Sequence, residues 1–335
     1  MFMIEVRGLE KSFRTRRGVV EAVRGVDLRV EEGQIFGFLG PNGAGKTTTL
    51  RILATLLLPD GGRGEVAGCD LLEEPARVRE RIGYVGQTGG TDVAATGREN
   101  LVLQARLYGS DLARARERAA RLIEALDLGA FADRPAKTYS GGQRRRLDLG
   151  LGLTHEPSVL FLDEPTTGLD PQSRARLWEE VRKLREAGMT VFLTTHYMDE
   201  ADALCDRVAI IDDGRVVIED SPDGLRRRIV GDVVTVGLDP ENATSERARQ
   251  LLEKRDFVRE LEAYDGGMRL YVERGEEVVP EILKFLDAEG IGVRAVSLSR
   301  PTLDDVFLRQ TGRSLRETGQ DALTEPTPTT ARTPR

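Results

Sequence analysis

A glycine-rich segment that ends in lysine and threonine is the first feature able to do chemistry. Its residues are Gly40, Pro41, Asn42, Gly43, Ala44, Gly45, Lys46, Thr47 and Thr48. Glycines leave successive backbone N–H groups free to converge on a phosphate, and a following helix adds the positive end of its dipole. An apolar strand pattern at 35–39 and a helical pattern at 47–58 flank the segment. This context predicts a nucleotide phosphate-binding loop rather than a chance glycine-rich turn. In it Lys46 contacts the β- and γ-phosphates, and the Thr47 hydroxyl contacts Mg²⁺.

An acidic pair follows the apolar run at 159–162. Asp163 ends this predicted strand, so its carboxylate should emerge at the sheet edge beside the phosphate loop and hold Mg²⁺, in most cases through water. Glu164 is the candidate general base that orients and polarises the attacking water, a role that typically contributes about 10²–10⁴-fold. The alternative is an acidic pair at a helix start, which Pro165 and the turn at 168–170 make less favourable.

Three further candidates have weaker local signals. His196 follows a predicted strand at 190–194 that should lie near the phosphate loop, although a lone histidine is more often structural. Gln87 ends a predicted strand at 82–85 and by itself indicates nothing. Phe13 is a lone aromatic residue that a core position explains equally well.

A second phosphate-binding surface is predicted at Ser140, Gly141, Gly142 and Gln143. The segment combines a hydroxyl, two unobstructed glycine N–H groups and a following helix. The alternative is an ordinary helix cap formed by Ser-Gly-Gly. The loop at 40–47 is the predicted site for the chain's own phosphates.

Composition narrows the class of protein. The chain has 335 residues, enough for about two domains, and 39% hydrophobic with 31% charged residues indicates an ordinary core. Its apolar runs are strand-length and too short to span a bilayer, and the N-terminus lacks the apolar region of a secretory signal. We therefore expect a cytoplasmic chain unless a partner holds it at a membrane.

Cysteine, histidine and charge exclude other classes of site. Cys69 and Cys205 are expected to be buried, reduced thiols, and two histidines exclude a multi-histidine metal site. A net charge of −7 disfavours nucleic acid as a partner. The arginine runs at 144–146 and 226–228 are interpreted as solvated helix faces.

Alternating strand and helix patterns predict an α/β domain over residues 1–222 with a largely parallel sheet. Short strands are expected within 1–30, and the interval 88–156 reads as a helical insert. Residues 223–312 follow the order β-α-β-β-α-β of a small, ferredoxin-like α+β domain. The segment 313–335 is rich in Thr, Pro, Arg and Glu and is expected to be disordered.

The order of these motifs resembles that of the ATP-binding cassette (ABC) ATPases over residues 1 to about 220. The resemblance implies a P-loop NTPase fold with a mostly parallel sheet core, N-terminal antiparallel strands and an α-helical subdomain. It also implies that His196 bonds the γ-phosphate and links it to Glu164, and that Gln87 senses Mg²⁺ and the attacking water. Phe13 would stack on adenine, where tyrosine is commoner. Asp170 would join the ATP-binding set. The surface at 140–143 would close over ATP held by a second copy, giving a homodimer with two ATP molecules.

A narrower resemblance is to the bacterial drug-exporter branch related to daunorubicin/doxorubicin resistance ATPases. It rests on residues 40–48 with Thr49, 96–101 with 107–109, 139–147, and the run Thr-Leu-Asp-Asp-Val-Phe-Leu at 302–308 with 311–313. It implies an ATPase for export of drugs or other hydrophobic compounds, bound peripherally at the cytoplasmic face of the plasma membrane to separate integral membrane permease subunits. The chain departs from the common ABC pattern at Gly86, where proline is commoner. It departs again at 89–95, which offers only Val93 as a bulky apolar residue in a segment that meets the membrane partner.

Other functions stay open at this point. An importer, or an exporter of lipid, polysaccharide or another non-drug cargo, has the same core motifs. A soluble ABC protein acting on ribosomes usually fuses two cassettes, whereas one set of motifs is present here. ABC ATPases of DNA repair or chromosome structuring interrupt the cassette with long coiled coils or zinc modules. The short helices and two cysteines of this chain cannot supply either.

Overall fold

The structure, a computed structural model, describes residues 1–16, 18–228, 231–238, 245–264 and 266–311. The chain divides into two compact units, Met1–Pro222 and a second that begins at Asp223. Among the described residues, no helix has both the length and the apolar character needed to cross a bilayer. The tail predicted to be disordered, 313–335, lies outside the described residues.

Ten strands and eight helices are described in chain order through Arg227. The strands are β1 (Phe2–Thr15), β2 (Gly18–Glu31), β3 (Ile35–Leu39), β4 (Gly61–Val66), β5 (Cys69–Asp70), β6 (Ile82–Val85), β7 (Val159–Asp163), β8 (Thr190–Thr195), β9 (Arg207–Asp212) and β10 (Arg215–Asp220). The helices are α1 (Lys46–Leu53), α2 (Pro75–Arg81), α3 (Gly97–Leu107), α4 (Leu112–Ala125), α5 (Gly141–Leu153), α6 (Pro171–Glu186), α7 (Met198–Leu204) and α8 (Pro222–Arg227).

The N-terminal sheet is antiparallel, with strand order β2-β1-β4-β5. The expectation of short strands within 1–30 is wrong, because β1 and β2 form one hairpin of two 14-residue strands. Gly8 and Gly25 have positive φ and lie where the pairing register shifts, so they form bulges within long strands. The sequence pattern also missed β4, whose Gly64 lies against Val6 so closely that a Cβ would be 2.3 Å from Val6 Cγ1.

The central sheet has the order β10-β9-β3-β8-β7-β6 and is parallel except for the β9–β10 pair. The prediction of a largely parallel sheet is therefore confirmed. Strands β3, β7 and β8 are buried along their full length. Phe36 and Phe192 stack between neighbouring strands with ring centroids 5.5 Å apart. Since parallel strands end at one edge, the residues that follow β3, β7 and β8 meet there.

The helical region between β6 and β7 contains α3, α4 and α5. Two of these helices begin with a reciprocal capping box, formed by Thr96 with Glu99 and by Ser140 with Gln143. Helix α1 ends at Leu53, earlier than its predicted end at 58, because Thr55 adopts a positive φ of 55°. Cys69 and Cys205 are buried and unpaired, as expected.

The arginine run at 144–146 corrects a prediction. Arg145 and Arg146 are only 8% and 9% exposed, so this part of α5 is not a solvated face. From Arg145 to Leu153 every residue of α5 is buried. A helix that is covered on all sides shows no amphipathic pattern in its sequence. An arginine on such a helix is stabilised by hydrogen bonds to backbone carbonyls, with its stem packed against apolar neighbours.

The second unit contains β11 (Asp232–Leu238), α9 (Ser245–Leu252), β12 (Val258–Tyr264), β13 (Gly267–Val272), α10 (Gly275–Ala288), β14 (Val293–Ser299) and α11 (Leu303–Thr311). Its sheet has the order β12-β13-β11-β14, with every pair antiparallel. This is the β-α-β-β-α-β arrangement followed by one further helix. One apolar cluster, which includes Val234, Leu270 and Ile282, joins the sheet to α9 and α10.

The run at 302–308 has a structural role within this unit. Asp305 Oδ2 accepts hydrogen bonds from Thr302 N at 2.7 Å and Thr302 Oγ1 at 2.6 Å, which caps the start of α11. Its other oxygen lies 3.5 Å from Arg269 Nη1 on β13, and Phe307 is fully buried. The motif therefore fastens α11 to the sheet of its own unit.

Candidate nucleotide-binding and hydrolysis site

The phosphate loop connects β3 to α1 and depends on glycine at defined positions. Gly43 and Gly45 have φ values of 82° and 102°, a left-handed region that favours glycine. A Cβ at Gly45 would lie 2.2 Å from the carbonyl oxygen of Ala22, and one at Gly40 would lie 2.2 Å from that of Ile211. Glycine is therefore required in this loop by the backbone conformation at Gly43 and Gly45 and by the close packing at Gly40 and Gly45.

Lys46 is held inside the loop by backbone and carboxylate oxygens. Its Nζ donates to Gly40 O at 2.8 Å and Pro41 O at 2.9 Å, and lies 3.4 Å from Glu164 Oε1. The side chain is 4% exposed, and this burial lowers the pKa of Lys46 while the Glu164 carboxylate opposes the shift. The buried cation is therefore held at the phosphate loop by carbonyl and carboxylate oxygens.

Asp163 and Thr47 form a group of oxygens suited to a divalent cation. Asp163 Oδ1 accepts from Thr47 Oγ1 at 3.0 Å and from Thr194 Oγ1 at 2.7 Å. Asp163 Oδ2 is buried and has no hydrogen-bond partner among the described residues. A buried, unpartnered carboxylate oxygen beside a hydroxyl fits Mg²⁺, which prefers oxygen ligands and completes its shell with water and substrate phosphates.

Glu164 lies where the polar side chains of four segments converge. Its carboxylate oxygens are 3.4 Å from Lys46 Nζ, 3.3 Å from His196 Nδ1 and 3.5 Å from Gln87 Nε2. Thr167 Oγ1 donates to the same carboxylate at 3.3 Å. The structure therefore brings the predicted catalytic residues Lys46, Gln87, Glu164 and His196 together.

The charge of Glu164 is fixed by its neighbours. Burial raises the pKa of its carboxyl group, but the contact with His196 and the charge of Lys46 outweigh that effect, and the pKa is lowered from 4.5 to about 2. Because the folded-state pKa is depressed, the stabilisation is fully present above about pH 4.5 and is lost as the pH falls towards about 2.

We expect this linkage to be measurable by urea unfolding of the wild type and Glu164→Gln without nucleotide. The difference in free energy of unfolding should favour the wild type, stay constant from about pH 7 to 5.5, and shrink below about pH 4.5. A difference that is the same at about pH 3.5 as at pH 7 would show that Lys46 and His196 do not stabilise the carboxylate.

A cavity of about 520 Å³ collects these groups. It is lined by Ala22, Asn42, Gly43, Gly45, Lys46, Thr47, Thr48, Gln87, Glu164, Thr167 and His196. Phe13 is not among its lining residues. Its ring is 38% exposed on β1, with Lys11 Nζ 5.8 Å from the ring centroid. The exposed ring stays a predicted adenine contact.

The predicted second surface also lies apart from this cavity. Ser140 and Gln143 bond each other across the first turn of α5, and Gly141 is exposed. Asp170 caps α6, accepting from Ser173 N at 2.9 Å and Ser173 Oγ at 2.6 Å. A Cβ at Gly142 would lie 2.4 Å from Ser173 Oγ, so the starts of α5 and α6 pack together.

Three site residues were missed by the sequence analysis, namely Ala22, Thr167 and Thr194. Thr194 bonds Asp163 and also accepts the backbone N–H of Glu164 at 3.0 Å. A signal for it existed, because two threonines follow the apolar run at 191–193 and end strand β8 directly before His196. For Ala22 no local pattern separates it from surface residues.

Comparisons with known proteins agree with this geometry. The ABC transporter family model matches residues 23–167, and a model described as "ATP-binding protein DrrA1-3-like, C-terminal domain" matches residues 221–311. The daunorubicin/doxorubicin resistance ATP-binding protein DrrA of Streptomyces peucetius is 45% identical over 309 residues, which is 92% of either chain. The Nod factor export ATP-binding protein I of Ralstonia nicotianae is 39% identical over 94% of this chain and 95% of its own length.

A solved structure shares the fold of the first unit. It is a dimeric ATP-binding cassette in a post-hydrolysis state with ADP and phosphate, 26% identical, with a TM-score of 0.60. The match covers 65% of this chain and 98% of that one. Fold, site and relatives agree that this chain belongs to the ATP-binding cassette family, as an ATPase subunit of the drug-resistance branch with a DrrA-like C-terminal domain.

Proposed function

We propose that this chain hydrolyses Mg²⁺-bound ATP to drive an exporter of drugs or other hydrophobic compounds. It would act at the cytoplasmic face of the plasma membrane, with integral membrane permease subunits on separate polypeptides. The relative named for daunorubicin/doxorubicin resistance, at 45% identity over nearly the whole chain, supports the cargo class. In the site, Thr47, Asp163 and Gln87 would hold Mg²⁺. The bound ion would neutralise phosphate charge.

Two copies of the chain would enclose two ATP molecules in a head-to-tail homodimer. The surface at 140–143 does not line the cavity of its own chain, yet it presents a helix N-terminus with Gly141 exposed. Such a terminus is suited to bind the γ-phosphate of a nucleotide held by another molecule. The dimeric state of the solved cassette supports this arrangement.

The observation that carries the coupling to transport is the position of Gln87. It lines the nucleotide cavity and also a second cavity of about 420 Å³. We name this second cavity the docking cleft. Its lining includes Arg51, Leu56, Tyr84, Gly89, Gly90, Gln104, Asp148 and Leu151. One residue therefore lines both the nucleotide cavity and the cleft.

The docking cleft has chemistry suited to a short helix of a membrane subunit. Apolar side chains are exposed on the segments that form or adjoin it, namely Leu56, Leu58, Val93, Leu103, Leu107 and Tyr108. Clusters of exposed apolar residues of this kind mark contact sites for other proteins. We therefore propose that the permease subunit docks here and that Gln87 connects its movement to the nucleotide.

Bulky substitution in the cleft tests this proposal. Gly90 is exposed, and a Cβ built there meets nothing within 4 Å, so Gly90→Trp should fold normally. We expect Gly90→Trp, like a bulky residue at Ala94, to keep the basal ATPase rate of the isolated chain. In cells it should abolish export or release the chain from the membrane fraction, because the added side chain occupies the space for the permease.

Gly129→Trp is the matched control, since Gly129 is also exposed in open space in the helical region, away from the cleft. It should export normally. If Gly90→Trp supports export and sediments with membranes like the control, the docking assignment is wrong.

A second cargo class is favoured by one observation, the relative named for Nod factor export at 39% identity. Expressing the chain with its permease and measuring daunorubicin efflux decides between the classes. ATP-dependent efflux that is lost in Glu164→Gln supports drug export. A functional ATPase and permease without drug efflux supports a non-drug cargo.

A further inference from the structure

Arg145 of α5 contacts two separate segments of the hydrolysis site. Its Nε donates to Pro165 O at 2.7 Å, Nη1 to Gly86 O at 2.7 Å, and Nη2 to Asp163 O at 3.1 Å. The side chain is 8% exposed. One buried guanidinium thus joins the helix that begins after Ser140 to the ends of β6 and β7.

These three carbonyls flank the residues that do the chemistry. Asp163 and Pro165 lie on either side of Glu164, and Gly86 directly precedes Gln87. Glu164 itself has a φ of 46°, a left-handed conformation that costs free energy in a residue other than glycine. Such a conformation persists only when its surroundings hold it, and Arg145 holds the chain before and after it.

Asp148, one turn further along α5, holds the same loop on the other side of Gln87. Its Oδ1 accepts from Gly90 N at 3.0 Å, Thr91 N at 3.1 Å and Thr91 Oγ1 at 2.6 Å. Helix α5 therefore contacts the loop that contains Gln87 at two points. Arg145 bonds the residue before Gln87, and Asp148 bonds residues after it.

The chemistry of arginine explains why this residue type is needed. Burial lowers the pKa of Arg145, yet a guanidinium stays charged in proteins, so its N–H groups must be paired. Its planar fork reaches three acceptors in fixed directions, whereas the ammonium of lysine is a point charge on a flexible chain. Lysine at 145 would keep the positive charge but lose the fixed set of hydrogen bonds to the three carbonyls.

We propose that Arg145 is a positioning residue for ATP hydrolysis, which sets the backbone of Glu164 and Gln87 by tying both to α5. A second consequence of this positioning role rests on the proposed dimer. ATP of the other copy, bound at the start of α5, moves Ser140 and Gln143, and Arg145 passes that movement to Glu164 of the same chain. A chain would then hydrolyse its own ATP only when its α5 has engaged the nucleotide of its partner.

Arg146 provides a matched control for the experiment. It is the next residue of α5, is 9% exposed, and donates to the carbonyls of Leu126 at 3.3 Å and Asp127 at 3.0 Å. Its partners lie within the helical region and not in the site. Arg145→Lys and Arg146→Lys therefore make the same chemical change in the same helix.

We expect Arg145→Lys to lower kcat by about 10- to 100-fold while the Kd for ATP stays near the wild-type value, because small misplacements of catalytic groups cost rate more than binding. Arg146→Lys should lose thermal stability to a similar extent and keep a kcat near that of the wild type. Equal losses of kcat in the two variants would assign Arg145 to stability alone and overturn the proposal.

A double-mutant cycle with Glu164→Gln gives the decisive readout. If Arg145 acts through Glu164, Arg145→Lys should slow the residual hydrolysis of Glu164→Gln by much less than it slows the wild type. If the two residues act independently, the rate losses caused by the two substitutions should multiply in the double variant. Full multiplication overturns the proposal. Should Arg145→Lys fail to fold, Arg145→Gln is measured in the same cycle. Failure of Glu164→Gln to dimerise with ATP would contradict the proposed dimer and leave the coupling of Arg145 to Glu164 standing.

Discussion

Glu164→Gln is expected to keep ATP binding and to lose hydrolysis by about 10²–10⁴-fold, because an amide has the shape of the carboxylate but cannot accept a proton from water. The structure supports this role, since the Glu164 carboxylate lines the cavity beside Lys46 and His196. Phosphate release at saturating ATP measures the rate, and titration with ATP measures the affinity.

The same variant should accumulate as an ATP-bound dimer on size-exclusion chromatography, since nucleotide that is not hydrolysed keeps the two surfaces together. Glu186→Gln is the control, because Glu186 is exposed at the end of α6 and should change neither property. Turnover near the wild-type rate in Glu164→Gln would remove Glu164 from its assigned role.

The site could be predicted to a large extent from the sequence because its residues follow directly on buried strands. Asp163 and Glu164 come at and after the end of β7, and His196 comes directly after β8. In a parallel sheet those ends meet at one edge, so chain position alone places the side chains near each other. Glycine supplied the other clue, because Gly43 and Gly45 need backbone conformations that few other residues adopt.

What could not be predicted depends on packing between distant segments. The three arginines at 144–146 look alike in sequence, yet Arg145 reaches the carbonyls of Asp163 and Pro165, while Arg146 bonds Leu126 and Asp127. Only the rotation of α5 against its neighbours decides which arginine faces the site. A fully buried helix leaves no period in the sequence from which to read that rotation.

The long N-terminal hairpin was missed for a related reason. Glycine normally indicates a turn, but Gly8 and Gly25 lie within strands as bulges, where the partner strand and not the local sequence sets the conformation. Gly64 allows the close approach of Val6 from β1. Such long-range pairing has no local signature.

Lys46→Ala is expected to abolish ATP binding at ordinary nucleotide concentrations, raising the Kd by about 30-fold or more. The estimate follows from the cost of about 2–5 kcal/mol for removing one partner of a buried charge pair. Lys46 Nζ bonds Gly40 O and Pro41 O and lies 3.4 Å from Glu164 Oε1, so the cation is buried at the loop that would bind the phosphates. ATP would then exchange these partners for its β- and γ-phosphates, and alanine offers nothing in return. Isothermal titration with ATP measures the change, with the exposed Lys137→Ala as the control. An unchanged affinity in Lys46→Ala would mean that the loop backbone alone binds the phosphates and that the lysine serves only the chemical step.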